Sequence, residues 1–215
     1  MSFSDAKRKL HRNYHDYGFL ETVKKSIMYL TRGFFYIKTY RIYRKNLLEL
    51  STPVQCSEGL NFAIVGDADR ERIAQIETME EWLEGKVCDI LRNNGFCLAV
   101  IDDTRVAGFN LVSLEDFCLP LIRVQRKLRP FEAWSEQISV GKAYRGRGLA
   151  TLLRKRMFHE LHDRGIRKLY GGTQSSNKAN LALCRKVGLQ EIADIRYLRI
   201  LGFERWYVTK VRRAS

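Results

Sequence analysis

Near the start of the chain, apolar residues fall at helical spacing. Leu20, Val23, Ile27 and Leu30 recur every three or four positions with Lys24, Lys25 and Arg32 on other faces, which predicts a basic amphipathic helix ending near Gly33. The stretch from Phe35 to Leu50 fits a helix or a strand. At Gly59 the period changes: Leu60 to Ile64 alternates as a strand does, and Asp67 or Asp69 can cap a helix carrying Ile73 and Ile76. Trp82, Val87, Ile90 and Leu91 predict a second helix, closed by Asn93, Asn94 and Gly95. The run FCLAVIDDTRVAGFNLV predicts two strands around a turn from Asp102 to Arg105. Leu114 to Pro130 contains Pro120 and Pro130 and predicts an irregular connection or an excursion over a site. FEAWSEQISV alternates again, and Tyr144 to Gly148 interrupts it. Leu149, Leu152, Leu153, Met157 and Leu161 then restart a helical period that stops at Gly165. Arg167 to Tyr170 predicts a short strand, Asn177 to Val187 a helix ended by Gly188, and Glu191 to Val211 two further strands.

Length and composition bound what these elements can build. The 215 residues, 45% hydrophobic, suffice for one well-buried domain and about 50 residues more. No window approaches the ~20 apolar residues of a membrane span, and the N-terminus has no apolar signal region, so the expected location is the cytoplasm. Cys56, Cys88, Cys97, Cys118 and Cys184 have neither metal-site nor disulfide-framework spacing and read as reduced thiols. His159 and His162 sit one helical turn apart without a third ligand, so no metal is expected.

A net charge of +14 concentrates anions near the surface. Residues 1–57 hold 11 basic and 4 acidic residues and ten of the 24 aromatic ones, a compositional unit distinct from 58–215. Such a basic, aromatic-rich helical extension can lie in the headgroup layer of an anionic membrane, making the protein peripheral on its inner face. It can equally pack on the following domain or on a second subunit of a homodimer. Nucleic acid is the weaker partner, because no reader motif accompanies the basic residues.

The interruption at Arg145, Gly146, Arg147, Gly148, Leu149 and Ala150 follows a strand and opens a helix. A helix start leaves backbone N–H groups unpaired at its positive end, where a phosphate is stabilised. The glycines remove Cβ atoms that would hold phosphates off, and the arginines add charge. A tight strand-to-helix turn with no ligand is the other reading. The spacing is neither a P-loop nor a dinucleotide fingerprint.

On these residues the chain resembles the GNAT superfamily of N-acetyltransferases. ISVGKAYRGRGLATLL is similar to its motif A, Q/R-x-x-G-x-G/A, with Arg145, Gly148 and Ala150 in register; NKANLALCRKVGLQEI is similar to a later N-x-x-A-x-x-x-Y-x-K-x-G-F element, with Asn177, Lys186, Gly188 and Leu189 in place. The element order over about 58–212 fits as well. The resemblance implies an α+β (GNAT) fold: a mixed, strongly twisted sheet flanked by helices and splayed beside the motif-A strand to admit acyl-CoA.

It also implies roles. The loop from Arg145 to Ala150 would bind the CoA diphosphate. Ile138, Ser139 and Val140 would pair with the pantetheine amides, Val140 N–H facing the thioester carbonyl. Asn177 would touch the pantetheine arm or simply cap its helix. Glu136, sharing strand parity with Ile138 and Val140, is the candidate base for the amine's proton, with Glu132 in reserve; both could instead be solvated carboxylates. Where the family's acid is a tyrosine this chain has Cys184, a thiol able to protonate the departing thiolate or merely to pack, and Tyr170 or Tyr197 could substitute. The activity expected is transfer of an acetyl group from acetyl-CoA to a primary amine. The alternatives are transfer of a longer acyl chain from acyl-CoA or an acyl carrier protein near a membrane, and a non-catalytic CoA-binding or membrane-docking module.

Overall fold

The computed structural model describes residues 35–48, 59–119, 122 and 124–211. The amphipathic helix expected at Leu20 to Leu30, and with it the membrane and subunit-docking readings, lies outside the described residues.

Strand β1 (Phe35–Asn46) settles as strand the stretch that the sequence left open. Strand β2 (Leu60–Val65) precedes helix α1 (Arg70–Met79), where Asp69 is the N-cap and accepts from Arg72 N–H at 3.3 Å; Ile73 and Ile76 are buried as their spacing required. The second helix is shorter than expected. Trp82 belongs to a separate 3-10 turn, Glu81–Leu83, and α2 spans Val87–Arg92, because Gly85 at φ +70° breaks the chain between them. Strands β3 (Phe96–Asp102) and β4 (Arg105–Ser113) form the expected hairpin. The stretch expected to be irregular contains β5 (Asp116–Leu119) and β6 (Val124–Lys127), a separate two-stranded ribbon. Four-residue strands are too short to show a period of two, and both prolines fall outside them.

Strand β7 (Glu132–Val140) feeds a 3-10 turn, Lys142–Tyr144, and helix α3 (Leu149–Asp163). Strand β8 (Lys168–Gln174), helix α4 (Lys178–Lys186) and strands β9 (Gln190–Ile200) and β10 (Phe203–Lys210) complete the chain. The main sheet has eight strands in the order β10-β9-β1-β8-β7-β4-β3-β2. The pairs β2·β3, β3·β4, β4·β7 and β1·β8 are antiparallel, whereas β7·β8 is parallel, so the chain must cross over between β7 and β8. Helix α3 makes that crossover.

The chain divides into two compact units. The described part of the smaller comprises residues 35–39 and Ile195–Val208, where Tyr197 is buried between the rings of Tyr36 and Trp206. The larger, Tyr40–Asp194 with Thr209 onward, holds two cores on opposite faces of the sheet. Strand β3 displays the division in its alternation. Phe96, Leu98 and Val100 join Leu153, Met157 and Leu161 of α3, while Cys97, Ala99 and Ile101 join Ile73 and Ile76 of α1. Each of the larger of these side chains, the Phe, Leu, Ile, Val and Met residues, contributes roughly 2 kcal/mol by leaving water.

Candidate active site

Strands β7 and β8 pair over only four residues each, Glu132 to Ser135 with Lys168 to Gly171. Beyond that point β7 stays with β4 as far as Val140, and β8 stays with β1 as far as Gln174. Two neighbours drawn to opposite sides leave a gap between them. A cleft of about 470 Å³ occupies it, with Ser135, Gly171 and Gly172 among its lining residues.

At the start of the gap β7 carries a bulge. Ser135 pairs with Val112 and Gln137 with Leu111, so Glu136 has no counterpart on β4. The parity shared by Glu136, Ile138 and Val140 in sequence therefore does not fix the side Glu136 faces; the bulge interrupts the period at that residue. Glu136 lines the cleft, and burial pushes its carboxyl up to about 7. A carboxyl that gains and loses its proton near neutrality is suited to taking one from an amine.

Past the bulge, Gly141 N–H donates to Ala107 O at 2.9 Å. Alternation along an antiparallel pair then turns the N–H and C=O groups of Val140 and Ile138 away from β4, toward the side β8 has left. Val140 O already accepts from Arg145 Nε at 3.0 Å, whereas its N–H remains a donor for a ligand. Ile138, Ser139 and Val140 all line the cleft.

The arginine-glycine loop stands at the mouth. Gly146 and Gly148 have φ of +80° and +75°, and a Cβ on either would meet nothing within 4 Å, so open space lies over the loop. Gly148 is the N-cap of α3 without a side-chain cap. Among the described residues no acceptor engages the N–H groups of Gly146, Arg147, Gly148, Leu149 or Ala150. Those donors and the helix dipole converge where an anion can be held. Tyr144 ties the loop down, its hydroxyl donating to Asp102 Oδ2 at 2.6 Å, and the Arg147 guanidinium lies over its ring. The carboxylate raises the Tyr144 hydroxyl above its ordinary value. A second hollow of about 300 Å³ shares Val140, Arg145, Ala150 and Leu183 with the cleft and extends it over the loop to Lys186.

Asn177 is the N-cap of α4, its Oδ1 accepting from Asn180 N–H at 3.0 Å, and it also lines the cleft. Cys184 lies in the cleft wall, 6% exposed; burial pushes its thiol up and the Arg154 cation opposes that. Glu132 is elsewhere. It is buried at the start of β7, accepting from Arg129 N–H and the Tyr170 hydroxyl at 3.2 Å each, so neither it nor Tyr170 joins the cleft. Tyr197 belongs to the smaller unit. Cys56 and the Cys118 side chain lie outside the described residues. Cys88, Cys97 and Cys184 are free thiols. Among the described residues no cluster suits a metal ion and no helix is long and apolar enough to cross a membrane.

Among the lining residues that sequence reasoning missed, two carry ionisable groups into the cleft wall. Tyr43 comes from β1, opposite Gly171, is 4% exposed, and its hydroxyl is raised chiefly by burial. Arg154 comes from α3 and donates from Nη1 to Ser135 Oγ at 2.6 Å.

A sheet parted beside a bulge, with an anion cradle at its mouth, suits a long donor that carries a diphosphate at one end and a reactive group at the other. The sequence profile described as Acetyltransferase (GNAT) family matches residues 63–189, and the chain belongs to this family of acyl- and acetyltransferases. Among solved structures it is similar to a GCN5-related N-acetyltransferase from Sphaerobacter thermophilus, at 16% identity and TM-score 0.56, covering 88% of this chain and 57% of that one. A Drosophila protein gives 14% identity and TM-score 0.57 over 87% and 59% of the two chains. A tandem GNAT protein from the clavulanic acid biosynthesis pathway gives 14% and 0.53 over 83% and 55%. These likenesses show the fold, and the chain spans less than two thirds of the length of each of these structures. No curated protein matches the sequence.

Proposed function

We propose that the protein transfers an acetyl group from acetyl-CoA to a primary amine by direct attack of the amine on the thioester. The observation that carries this reading is the parting of β7 from β8 beyond Ser135 and Gly171, with Glu136 bulged at the opening. The residues fit CoA. Unengaged N–H groups from Gly146 to Ala150, bare of Cβ atoms at both glycines, donate to the diphosphate, with Arg145 and Arg147 adding charge. The open edge of Ile138, Ser139 and Val140 pairs with the pantetheine amides, and Asn177 flanks the arm from the start of α4.

The CoA thioester supplies an activated acyl group. Glu136 takes the proton of the arriving ammonium, and its raised carboxyl is matched to that task near pH 7. Val140 N–H stabilises the charge that develops on the carbonyl oxygen. As the C–N bond forms and the C–S bond breaks, the Cys184 thiol, which lines the cleft, gives a proton to the leaving sulfur, and the second proton that the nitrogen sheds in becoming an amide restores the thiol.

Titrating acetyl-CoA into the protein by calorimetry, then following thiol release with a panel of polyamines, amino sugars and peptide N-termini, tests the reading. Micromolar binding and turnover with at least one amine are expected. Failure of both acetyl-CoA and CoA to bind overturns it.

A further inference from the structure

The mechanism above leaves Arg154, a cation in the cleft wall, unused. Arg154 is 4% exposed, and among the described residues its Nε has no hydrogen-bond partner, its one bond runs from Nη1 to Ser135 Oγ, and it pairs with no carboxylate. The acids that share the cleft do not neutralise it. Burial raises the Glu136 carboxyl, and neither it nor Glu80, also in the lining, makes an ion pair with Arg154. Cys184 feels the cation, yet burial keeps its pKa above the ordinary thiol value, so at neutral pH it is a neutral thiol. Arg154 itself is pushed down to about 10 by burial and stays protonated. A buried, unpaired cation is costly, and a leucine would suit this place beside Leu153, Met157 and Phe158 better.

We propose that the closed end of the cleft seats a carboxylate carried by one of the two substrates, the acyl group or the acceptor amine, against the Arg154 guanidinium. The inference rests on the acyl-transfer reading. The CoA diphosphate is not this anion, because its cradle ends at Ala150, a full helical turn or about 6 Å earlier along α3. Arg154 instead holds Ser135, the last residue of β7 to pair with β8. Opposite Ser135, Gly171 leaves room: a Cβ there would approach nothing nearer than Ser135 Cβ at 3.6 Å. A guanidinium with donors to spare in a water-poor corner recognises a carboxylate by charge-assisted hydrogen bonds.

The test has two arms. Calorimetry compares CoA, acetyl-CoA and succinyl-CoA; turnover compares amino acids with their decarboxylated amines, β-alanine against ethylamine among them. In one arm the unmodified protein is expected to favour the carboxylated partner by about tenfold to a hundredfold. In Arg154→Gln that preference disappears while CoA binds within about threefold of the unmodified protein, and Arg154→Lys keeps part of the preference. A source in the acyl group shows in the first arm, and one in the acceptor in the second. CoA binding without preference in either arm overturns this inference alone, as does an equal fall of kcat in Arg154→Gln with every donor and acceptor. The comparison in the unmodified protein decides the matter even where Arg154→Gln does not fold. Failure of CoA to bind overturns the acyl-transfer reading together with this one.

Discussion

Glu136→Gln separates a catalytic carboxyl from a merely buried one. Burial raises Glu136 from 4.5 to about 7, so its ionisation in the folded protein near neutrality is opposed by roughly 3 kcal/mol at ~1.4 kcal/mol per pH unit. Below pH 4.5 the carboxyl is protonated in both folded and unfolded chains and no penalty exists. As the pH rises toward 7 the unfolded chain ionises first, and folding stability falls by up to that amount. Glutamine, which cannot ionise, removes the loss. The variant should match the parent near pH 4.5 and exceed it by about 2–3 kcal/mol above pH 7 in urea titrations, a little less than the full figure because the residue is half-buried. Activity should move the opposite way. Loss of a general base costs about 10²–10⁴ in kcat/KM, and the ratio of parent to variant should climb through pH 7 and level off above it. The acceptor's own ionisation affects both proteins equally and cancels in the ratio. A variant with the parent's rate and the same pH limb refutes Glu136 as the base, and a stability difference that does not grow with pH refutes its burial.

Other perturbations address the loop and the thiol. Gly148→Val places a β-branched side chain at φ +75°, which should cost about 1–2 kcal/mol in stability, and its Cβ intrudes on the cradle, so acetyl-CoA affinity measured by calorimetry should fall at least about tenfold. Tyr144→Phe removes the 2.6 Å bond to Asp102; a lower midpoint in denaturant titration and weaker acetyl-CoA binding are expected, and unchanged binding would show that the loop holds its shape without the tie. Cys184→Ala should lower kcat by about tenfold or more with little change in KM if the thiol protonates the leaving sulfur. An unchanged kcat would leave Cys184 as a packing residue and make Tyr43→Phe the next substitution to assay.

Where the signal lies within a few residues, the sequence is enough: the β3–β4 hairpin is two continuous apolar runs around a turn, and Asp69 caps the helix it opens. β1 carries no such local signal. Its burial follows no clean alternation, and its basic residues at 38, 41 and 44 recur at a spacing of three, so the stretch looks as helical as extended until its partner β8 is known. The loop was legible because glycines, arginines and a helix start act within six residues of one another. The cleft was less so, because its shape depends on long-range pairing. Nothing local to Ser135 announces that β8 departs there, and the bulge at Glu136 exists only as a mismatch between β7 and β4.

Arg154 marks the boundary between these cases. It falls beside Leu153 and four residues before Phe158, on the flank of the stripe that faces the sheet, so helical spacing alone brings an arginine up to the core. An arginine at such an edge ordinarily reaches out to solvent along its own stem. Here it cannot, because Ser135 takes its guanidinium inward at the point where the sheet begins to part. The conflict between a charged residue and a buried helix face was visible in the chain. Its resolution, a cation turned toward the opening between two strands, required knowing that the opening was there, and a local rule broken in the wall of a cleft points to a ligand's charge.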